Sequence, residues 1–344
     1  MESCLLPRSW FPLLPPFPVS TSLQRSQITF GSRASALARW QSDWIIARLR
    51  DAWPGLYCQT RLFITSGDRL LDKSLVEIGG KGVFTEELET ALCSSEIDVA
   101  VHSLKDLPVE DTPGLTLGAI DERADARDVL ISRERWTLDT LPRAARVGTC
   151  SLRRTAQLLA IRPDLTIRPV RGNVDTRIRK AMSGEYDAIV LAAAGLLRLG
   201  LAEHISEYLP FEIMLPAPGQ AALAAQCRAD DEATRNLLSK IDHAPTRAAV
   251  TAERAFLDSL GGRCSAPVAA YARSHPQSFS VAQDTSPDLR RRSGQVSNLY
   301  LTGLVASPNG RRSIRVSGEG DDPIALGQTL AQRALEQGAG ELIP

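Results

Sequence analysis

The stretch VGTCSLRR at residues 147–154 decides the fold prediction, because it reads as a strand end, a glycine turn and a helix start. Two other stretches repeat this arrangement, GSRAS at 31–35 and VRGNVDTR at 170–177. Strands that alternate with helices predict α/β units built on parallel sheets. The carboxyl ends of such strands meet at one edge, so we expect the three junctions to face a common cleft between two units.

These junctions are suited to binding anions. Backbone N–H groups at a helix N-terminus, together with the hydroxyls of Thr149 and Ser151, form a ready site for a negative group. Arg153 and Arg154 add planar guanidinium groups that bind a carboxylate through two hydrogen bonds. A single arginine is more often a surface charge. Three such turns at corresponding positions favour a cleft that binds a polycarboxylate.

The order of the predicted elements divides the chain into three domains. Domain 1 is predicted at residues 28–121 plus 222–240, domain 2 at 122–221 and domain 3 at 244–344. Domains 1 and 2 alternate strands with helices and are α/β, whereas domain 3 has strands between two helices and is α+β. The turn-rich segment LPAPGQ (215–220) returns the chain from domain 2 towards domain 1.

Two segments are predicted to lie outside this folded body. Residues 1–27 contain five prolines and a single acid, which indicates a disordered extension or a start codon placed too early. A transit peptide is the other interpretation of these residues. Residues 273–295 are polar and include three consecutive arginines, and we expect a flexible insertion in domain 3.

Composition excludes several functions. The chain has 40 basic and 40 acidic residues, which argues against a nucleic-acid partner, and 5% aromatic residues are too few for base stacking. No apolar run approaches the roughly 20 residues that cross a bilayer. Six irregularly spaced cysteines and four histidines predict neither a disulfide framework nor a metal centre, and they fit a reducing cytosol.

Two stretches carry groups with reactive chemistry. VHSLKDLP (101–108) places Asp106 beside Lys105 at a strand end. The two form a simple ion pair, or Asp106 is the one anion in a cleft of arginines, where it can stabilise a cation and exchange protons. GGRCSAP (261–267) places Cys264 in a loop, where the thiol is either a buried apolar group or the anchor of a covalent cofactor.

Eight motifs resemble the porphobilinogen deaminase family, also called the hydroxymethylbilane synthases. They span residues 28–270 in that family's order: GSRASALARWQ, GGKGVFTEELE, VHSLKDLP, GTCSLRR, RGNVDTRIRK, LAAAGLLRLG, LPAPGQ and GGRCSAP. The resemblance implies that the first two domains are similar to the halves of periplasmic binding proteins. It also implies a transferase of heme and tetrapyrrole biosynthesis that joins four porphobilinogens head to tail, releases ammonia each time, and frees hydroxymethylbilane with water.

The resemblance further implies a cofactor and a set of site residues. The cofactor is a dipyrromethane, held by a thioether at Cys264 in domain 3. Its other contacts are Ser103, Lys105, Asp106, Thr149, Ser151, Arg153 and Arg154. The substrate contacts are Arg33, Ser35, Gln41, Arg177 and Arg198. Asp106, Lys105 and Arg33 take part in catalysis, and Phe84 lies on a lid.

We expect a cytoplasmic monomer whose partner is the small molecule porphobilinogen, or an organellar protein if residues 1–27 are a transit peptide. Arg263 departs from the glycine expected before the cysteine, which affects the geometry of the cofactor loop. The rival hypothesis is a non-catalytic two-lobed protein that binds anionic ligands. It explains the arginines but leaves Asp106 and Cys264 without a role.

Overall fold

Three separate sheets organise the residues that the computed structural model describes, which are 25–66, 85–110, 112–261, 266–274 and 299–343. Two sheets have five strands and the third has three. Each sheet takes its strands from one of the three chain segments predicted as domains, apart from Gln27 at the start of the first strand. We call the two five-stranded units lobe 1 and lobe 2, and the third unit the C-terminal domain.

Lobe 1 contains a mixed sheet. Its elements are β1 (Gln27–Arg33), α1 (Ala36–Ala52), β2 (Tyr57–Phe63), α2 (Glu86–Cys93), β3 (Val99–Ser103), β4 (Leu115–Ile120), β10 (Leu223–Arg228) and α6 (Glu232–Ser239). The strand order is β2-β1-β3-β10-β4, with β1 parallel to β2 and β3. Strand β10 is antiparallel to both neighbours, because it arrives from lobe 2 and not through a helix of its own unit. The predicted parallel pairing is therefore present among β1, β2 and β3, and the prediction was wrong for β10.

Lobe 2 repeats this layout. Its elements are β5 (Asp128–Ile131), β6 (Arg146–Gly148), α3 (Leu152–Ile161), β7 (Thr166–Arg168), α4 (Val174–Met182), β8 (Ala188–Ala192), α5 (Ala193–Arg198) and β9 (Glu207–Leu209). The order is β7-β6-β8-β5-β9, with β6 parallel to β7 and β8 and β5 antiparallel to its neighbours. The chain passes between the lobes twice, at residues 121–127 (the first crossover) and 210–222 (the second crossover).

The glycines of the three junctions have different roles. Gly172 has a φ of +110°, which favours glycine, so it forms the predicted turn. Gly31 lies inside β1, and a Cβ there would clash with Ile97 and Leu88. Gly148 ends β6, and a Cβ there would lie 2.9 Å from Ile189. The prediction of a glycine turn was wrong for Gly31 and Gly148, since both instead allow close packing behind the sheet.

The C-terminal domain packs two helices on an antiparallel sheet. Its elements are α7 (Ala244–Ser259), β11 (Val268–Ser274), β12 (Leu299–Ala306), β13 (Ser313–Gly320) and α8 (Pro323–Glu336). Its core includes Phe256 and Leu330, both fully buried. The predicted insertion began at residue 273, but Arg273 and Ser274 pair with β12 and so belong to the sheet. The rest of that predicted insertion, 275–295, lies outside the described residues.

One buried carboxylate joins the C-terminal domain to both crossovers. Glu253 on α7 is fully buried. It accepts hydrogen bonds from Arg123 of the first crossover at 2.5 Å and from the backbone N–H of Gly219 of the second crossover at 2.7 Å. The N–H of Ala272 on β11 donates to it at 2.8 Å. The C-terminal domain therefore contacts the chain at the two places where it passes between the lobes.

The folded body begins before residue 28. Arg25 lies 2.5 Å from Asp98 and 2.9 Å from Asp231, and its guanidinium also donates to Thr234. The predicted extension, residues 1–27, therefore includes residues that belong to the folded protein, because Arg25 already contacts lobe 1. Residues 1–24 lie outside the described part of the chain. No helix among the described residues is long and apolar enough to cross a membrane.

Candidate active site

A cleft of about 340 Å³ lies between the two lobes. It is lined by nine of the residues that the sequence predicted: Arg33, Ser35, Gln41, Ser103, Lys105, Asp106, Arg154, Arg177 and Arg198. They come from β1, α1, β3 and the turn after it on one side, and from α3, α4 and α5 on the other. The structure thus brings together at one cleft the junctions that the sequence predicted to converge.

The lobe 1 wall is ordered by local hydrogen bonds. Ser35 is the N-cap of α1, and its side chain accepts from the backbone N–H of Ala38. The Gln41 amide, one turn further along α1, donates to the hydroxyl of Ser103 at 2.8 Å. Asp106 lies in the short helical turn after β3 and is exposed to the cleft. This wall offers an accessible carboxylate surrounded by hydrogen-bonding groups.

Lys105 is half-buried beside Asp106. Its Nζ donates to Oε1 of Gln220 at 3.3 Å. Burial lowers the pKa of Lys105 to about 8, an effect that the negative charge of Asp106 opposes. The ammonium group is thus held at the cleft while its charge becomes sensitive to pH near neutrality.

The lobe 2 wall presents arginines held by backbone carbonyls. Arg177 Nε donates to the carbonyl of Gly172 at 2.7 Å, and Arg198 Nη2 donates to that of Ala221 at 2.7 Å. Arg198 also lies over the ring of Trp40, 5.7 Å from its centroid. Burial lowers the pKa of both arginines, to about 10 for Arg198. A carbonyl acceptor leaves their charges uncancelled, so both can bind an anion.

The cleft has a positive balance of charge. Among the described lining residues there are six basic side chains and two acids, the acids being Asp106 and Asp175. The prediction that Asp106 would be the one anion in the cleft was therefore wrong, because Asp175 on α4 also lines it. Such a balance favours a ligand with several carboxylates.

Arg153 has a different environment from its neighbour Arg154. It is 4% exposed and does not line the cleft. Its Nη1 donates to Asp128 and to the carbonyl of Leu215, both at 2.7 Å. Arg154, which does line the cleft, bonds the other oxygen of Asp128 at 2.8 Å. The predicted contact of Arg153 with a cofactor stays a prediction, since its described partners belong to the protein.

The two hydroxyls of the same junction also have local partners. The Oγ1 of Thr149 accepts from the N–H of Ser151 at 3.1 Å. The Oγ of Ser151 caps α3 by accepting from the N–H of Arg154. Neither residue lines the cleft, so their predicted hydrogen bonds to a cofactor also stay predictions.

Sequence reasoning missed part of the site. Cys150 and Arg171 line the cleft but were not predicted to do so. Both lie inside the junction motifs at 147–154 and 170–177, so their place in those motifs could have identified them. Asp128 and Gln220 are fully buried behind the cleft and hold its basic residues in place. Nothing local in the sequence indicates their partners, which come from distant segments.

The remaining predicted site residues, Phe84 and Cys264, lie outside the described residues, as does Arg263. No group of three potential ligands that could hold a metal ion occurs in the part of the chain that the structure describes.

The fold and the cleft define a two-lobed α/β protein with a cleft rich in basic residues between its lobes and a third domain joined to both crossovers. Residues 28–236 match the family described as "Porphobilinogen deaminase, dipyromethane cofactor binding domain", and residues 247–336 match "Porphobilinogen deaminase, C-terminal domain". The chain belongs to the porphobilinogen deaminase family. This membership confirms the family predicted from the motifs, and the predicted fold class is confirmed with it.

Individual relatives agree. A porphobilinogen deaminase of Brevibacillus brevis is 47% identical over 313 residues, covering 91% of this chain and 95% of that protein. One of Moorella thermoacetica is 48% identical over 319 residues, covering 92% and 96%. Among solved structures, the periplasmic VFT2 domain of BvgS from Bordetella pertussis is 15% identical, with a TM-score of 0.39 over 63% of this chain and 87% of that one.

Proposed function

We propose that this protein is a porphobilinogen deaminase, a transferase of tetrapyrrole biosynthesis. It joins four porphobilinogen molecules head to tail, releases ammonia at each addition, and frees hydroxymethylbilane by reaction with water. The observation that carries the proposal is the cleft itself, which is lined by six basic side chains together with the exposed carboxylate of Asp106. Every porphobilinogen brings two carboxylates, so a growing chain needs many cations in one place.

The residues of the cleft fit a dipyrromethane cofactor, which is itself a polycarboxylate. Lys105 and Arg154 are the basic residues that would bind its carboxylates, and Ser103 would donate a further hydrogen bond. When bound, the cofactor supplies the pyrrole carbon from which the chain grows. We propose that Cys264 carries it through a thioether.

Asp106 is the group proposed to act in the chemical step. Loss of ammonia from the substrate requires a proton on the leaving amine and creates a positive charge on the remaining pyrrole unit. A carboxyl group exposed to the cleft can donate that proton when it is protonated, and the carboxylate that remains can then stabilise the positive charge. Asp106 is accessible for both roles because it lies on the short turn after β3.

The other lining residues are proposed to bind and orient the substrate. Arg33 and Ser35 on the lobe 1 side face Arg177 and Arg198 from lobe 2 across the same cleft. Gln41 fixes the Ser103 hydroxyl through their 2.8 Å hydrogen bond. Binding between two lobes holds the reacting atoms together and removes much of the entropic barrier to their reaction.

A non-catalytic anion-binding protein is the alternative, and membership of the family favours the enzyme. We also propose that the protein works as a monomer in the cytoplasm. The irregular spacing of its six cysteines fits a reducing compartment.

The intact mass of the purified full-length protein tests the proposal. It should exceed the mass encoded by the sequence by one dipyrromethane, located on the peptide that contains Cys264. Cys264→Ser should lose both the added mass and most of the hydroxymethylbilane formation. Cys93→Ser, which changes an exposed cysteine at the end of α2, is the matched control and should keep both. An unmodified protein with full activity, or a Cys264→Ser protein with wild-type activity, would refute the proposal.

A further inference from the structure

Gln220 is the last residue of LPAPGQ, and its backbone is held on both sides. Its N–H donates to the carbonyl of Ala217 at 2.9 Å, and its own carbonyl accepts from Arg123 Nε at 2.8 Å. The side chain is fully buried. A fixed backbone inside a packed interior leaves the side chain little conformational freedom.

The side-chain amide has one allowed orientation. Its Nε2 donates to the carbonyl of Ala126 at 2.8 Å and to Oδ1 of Asp128 at 3.0 Å. Both partners are acceptors, so a reversed amide would place its oxygen against two other oxygens. The Oε1 atom is therefore directed at Nζ of Lys105, 3.3 Å away.

This amide links two lobes. Asp128 starts β5 of lobe 2 and is held by Arg153 and Arg154, whereas Lys105 follows β3 of lobe 1. The charged groups that act on Lys105 are the acids Asp106 and Asp128 and the two arginines. The two arginines disfavour the charged form of Lys105. The hydrogen bond that Nζ donates to Gln220 Oε1 therefore helps to stabilise the ammonium form.

We propose that Gln220 is a positioning residue, which holds the ammonium group of Lys105 at the cleft wall through a neutral acceptor and so leaves its charge available to a ligand carboxylate. The proposal rests on the function proposed above for Lys105. A carboxylate in place of the amide would pair with Lys105 and compete with the ligand. An apolar side chain would leave the ammonium group without this bond.

The test measures the pKa of Lys105 directly in the full-length protein with its cofactor. Brief labelling with acetic anhydride over a pH series, followed by mass spectrometry of the peptide containing Lys105, follows its free amine. The midpoint of labelling in the wild-type protein gives the reference pKa of the amine, which burial lowers and nearby carboxylates raise. Gln220→Met should lower this value by about one unit, because the charged form loses a hydrogen bond. Gln220→Glu should raise it, because a negative charge stabilises the ammonium form.

Gln157→Met is the matched control. Gln157 is also a buried glutamine, and its hydrogen bonds in the described structure go to Arg153, Met214 and Leu215 and not to Lys105. Its loss should leave the labelling curve of Lys105 unchanged. Equal pKa values in the wild-type, Gln220→Met and Gln220→Glu proteins would overturn the proposal. If Gln220→Met does not fold, Gln220→Glu decides alone, since the absence of a rise there overturns it.

Kinetics separate this proposal from the proposed function. In Gln220→Met, the alkaline fall of kcat/KM for porphobilinogen should move to lower pH by the same amount as the labelling curve. A shifted labelling curve with an unshifted kinetic profile would support the positioning of Lys105 by Gln220 and refute the role of Lys105 in binding carboxylates. The labelling result does not depend on turnover.

Discussion

Arg153 and Asp128 form an ion pair with almost no exposure to solvent, with Nη1 2.7 Å from Oδ2. Arg154 takes the other carboxylate oxygen at 2.8 Å. Burial alone would raise the pKa of Asp128, but the two positive charges overcome that effect and hold the pKa well below its usual value. The carboxylate of Asp128 therefore neutralises positive charge on the two arginines in the first turn of α3, directly behind the cleft.

Asp128→Asn should strongly destabilise the fold. The amide would leave two buried guanidinium groups without a balancing charge, a change that typically costs about 3–5 kcal/mol. Asp187→Asn is the control, because Asp187 pairs with Arg146 in a more exposed setting, where such a pair contributes up to about 1 kcal/mol. Urea unfolding of both variants measures the difference. Equal losses would show that the buried pair adds nothing beyond a surface pair.

The same carboxylate predicts a pH dependence of stability. A carboxylate whose pKa is lower in the folded protein stabilises the fold at pH values above its unfolded pKa, near 3.8. That stabilisation is lost progressively as the pH falls below about 4. The free energy of unfolding of the wild-type protein should therefore fall more steeply below pH 4 than that of Asp128→Asn. Parallel curves from urea titrations at pH 3 to 6 would contradict this origin.

Asp106→Asn should act on the chemical step. The amide keeps the shape of the side chain but can neither donate the proton nor stabilise the cation, so kcat should fall by about 10²–10⁴. Steady-state kinetics with porphobilinogen give kcat and KM separately. Asp43→Asn, at an exposed position of α1 that does not line the cleft, is the control for a lost acid. A raised KM at unchanged kcat would limit Asp106 to binding.

Lys105→Arg should move the alkaline limit of activity. Since burial lowers the pKa of Lys105 to about 8, the side chain loses its positive charge as the pH rises through that value. Its binding of carboxylates should weaken at the same time. A guanidinium group stays protonated well above it, so the fall in kcat/KM should shift upward by more than about one unit. The pH at which kcat/KM decreases, and not its absolute value, is the quantity to compare between the two proteins. If kcat/KM of Lys105→Arg still decreased near pH 8, another titrating group would be responsible for the decrease.

Arg25 should mark the start of the stable fold. A chain that begins at Arg25 should keep the wild-type melting temperature and turnover, because it retains the contacts with Asp98 and Asp231. A chain that begins at Ile28 loses them, and its unfolding free energy should drop by about 1–2 kcal/mol. Thermal unfolding of the two chains measures this, and identical melting temperatures would show that Arg25 is dispensable.

The convergence of the cleft residues could be predicted from the sequence, because it depends on local patterns. Strand-to-helix junctions are visible in short stretches, and the carboxyl ends of parallel strands meet at one edge whatever the rest of the chain does. Arg33, Lys105 and Arg177 were placed in this way. Each of them lines the cleft.

The partners behind the cleft could not be predicted in the same way. Arg153 and Arg154 are adjacent on α3, so their side chains leave the helix about 100° apart. Both bond Asp128, which lies 25 residues before Arg153, but only Arg154 also lines the cleft. No local pattern reports a contact over that distance. The antiparallel orientation of β5 and β10 was missed for the same reason, since their neighbours are set by the crossovers.

The carboxylate of Glu253 limits how the lobes can move. It holds Arg123 and the N–H of Gly219 at the same time, one from each crossover. Because one buried side chain bonds both crossovers, we expect a rotation of one lobe against the other to leave these two segments at a fixed separation. The C-terminal domain carries Glu253, and Cys264 follows the same helix in the sequence. The proposed attachment point of the cofactor thus belongs to the domain that fastens both crossovers.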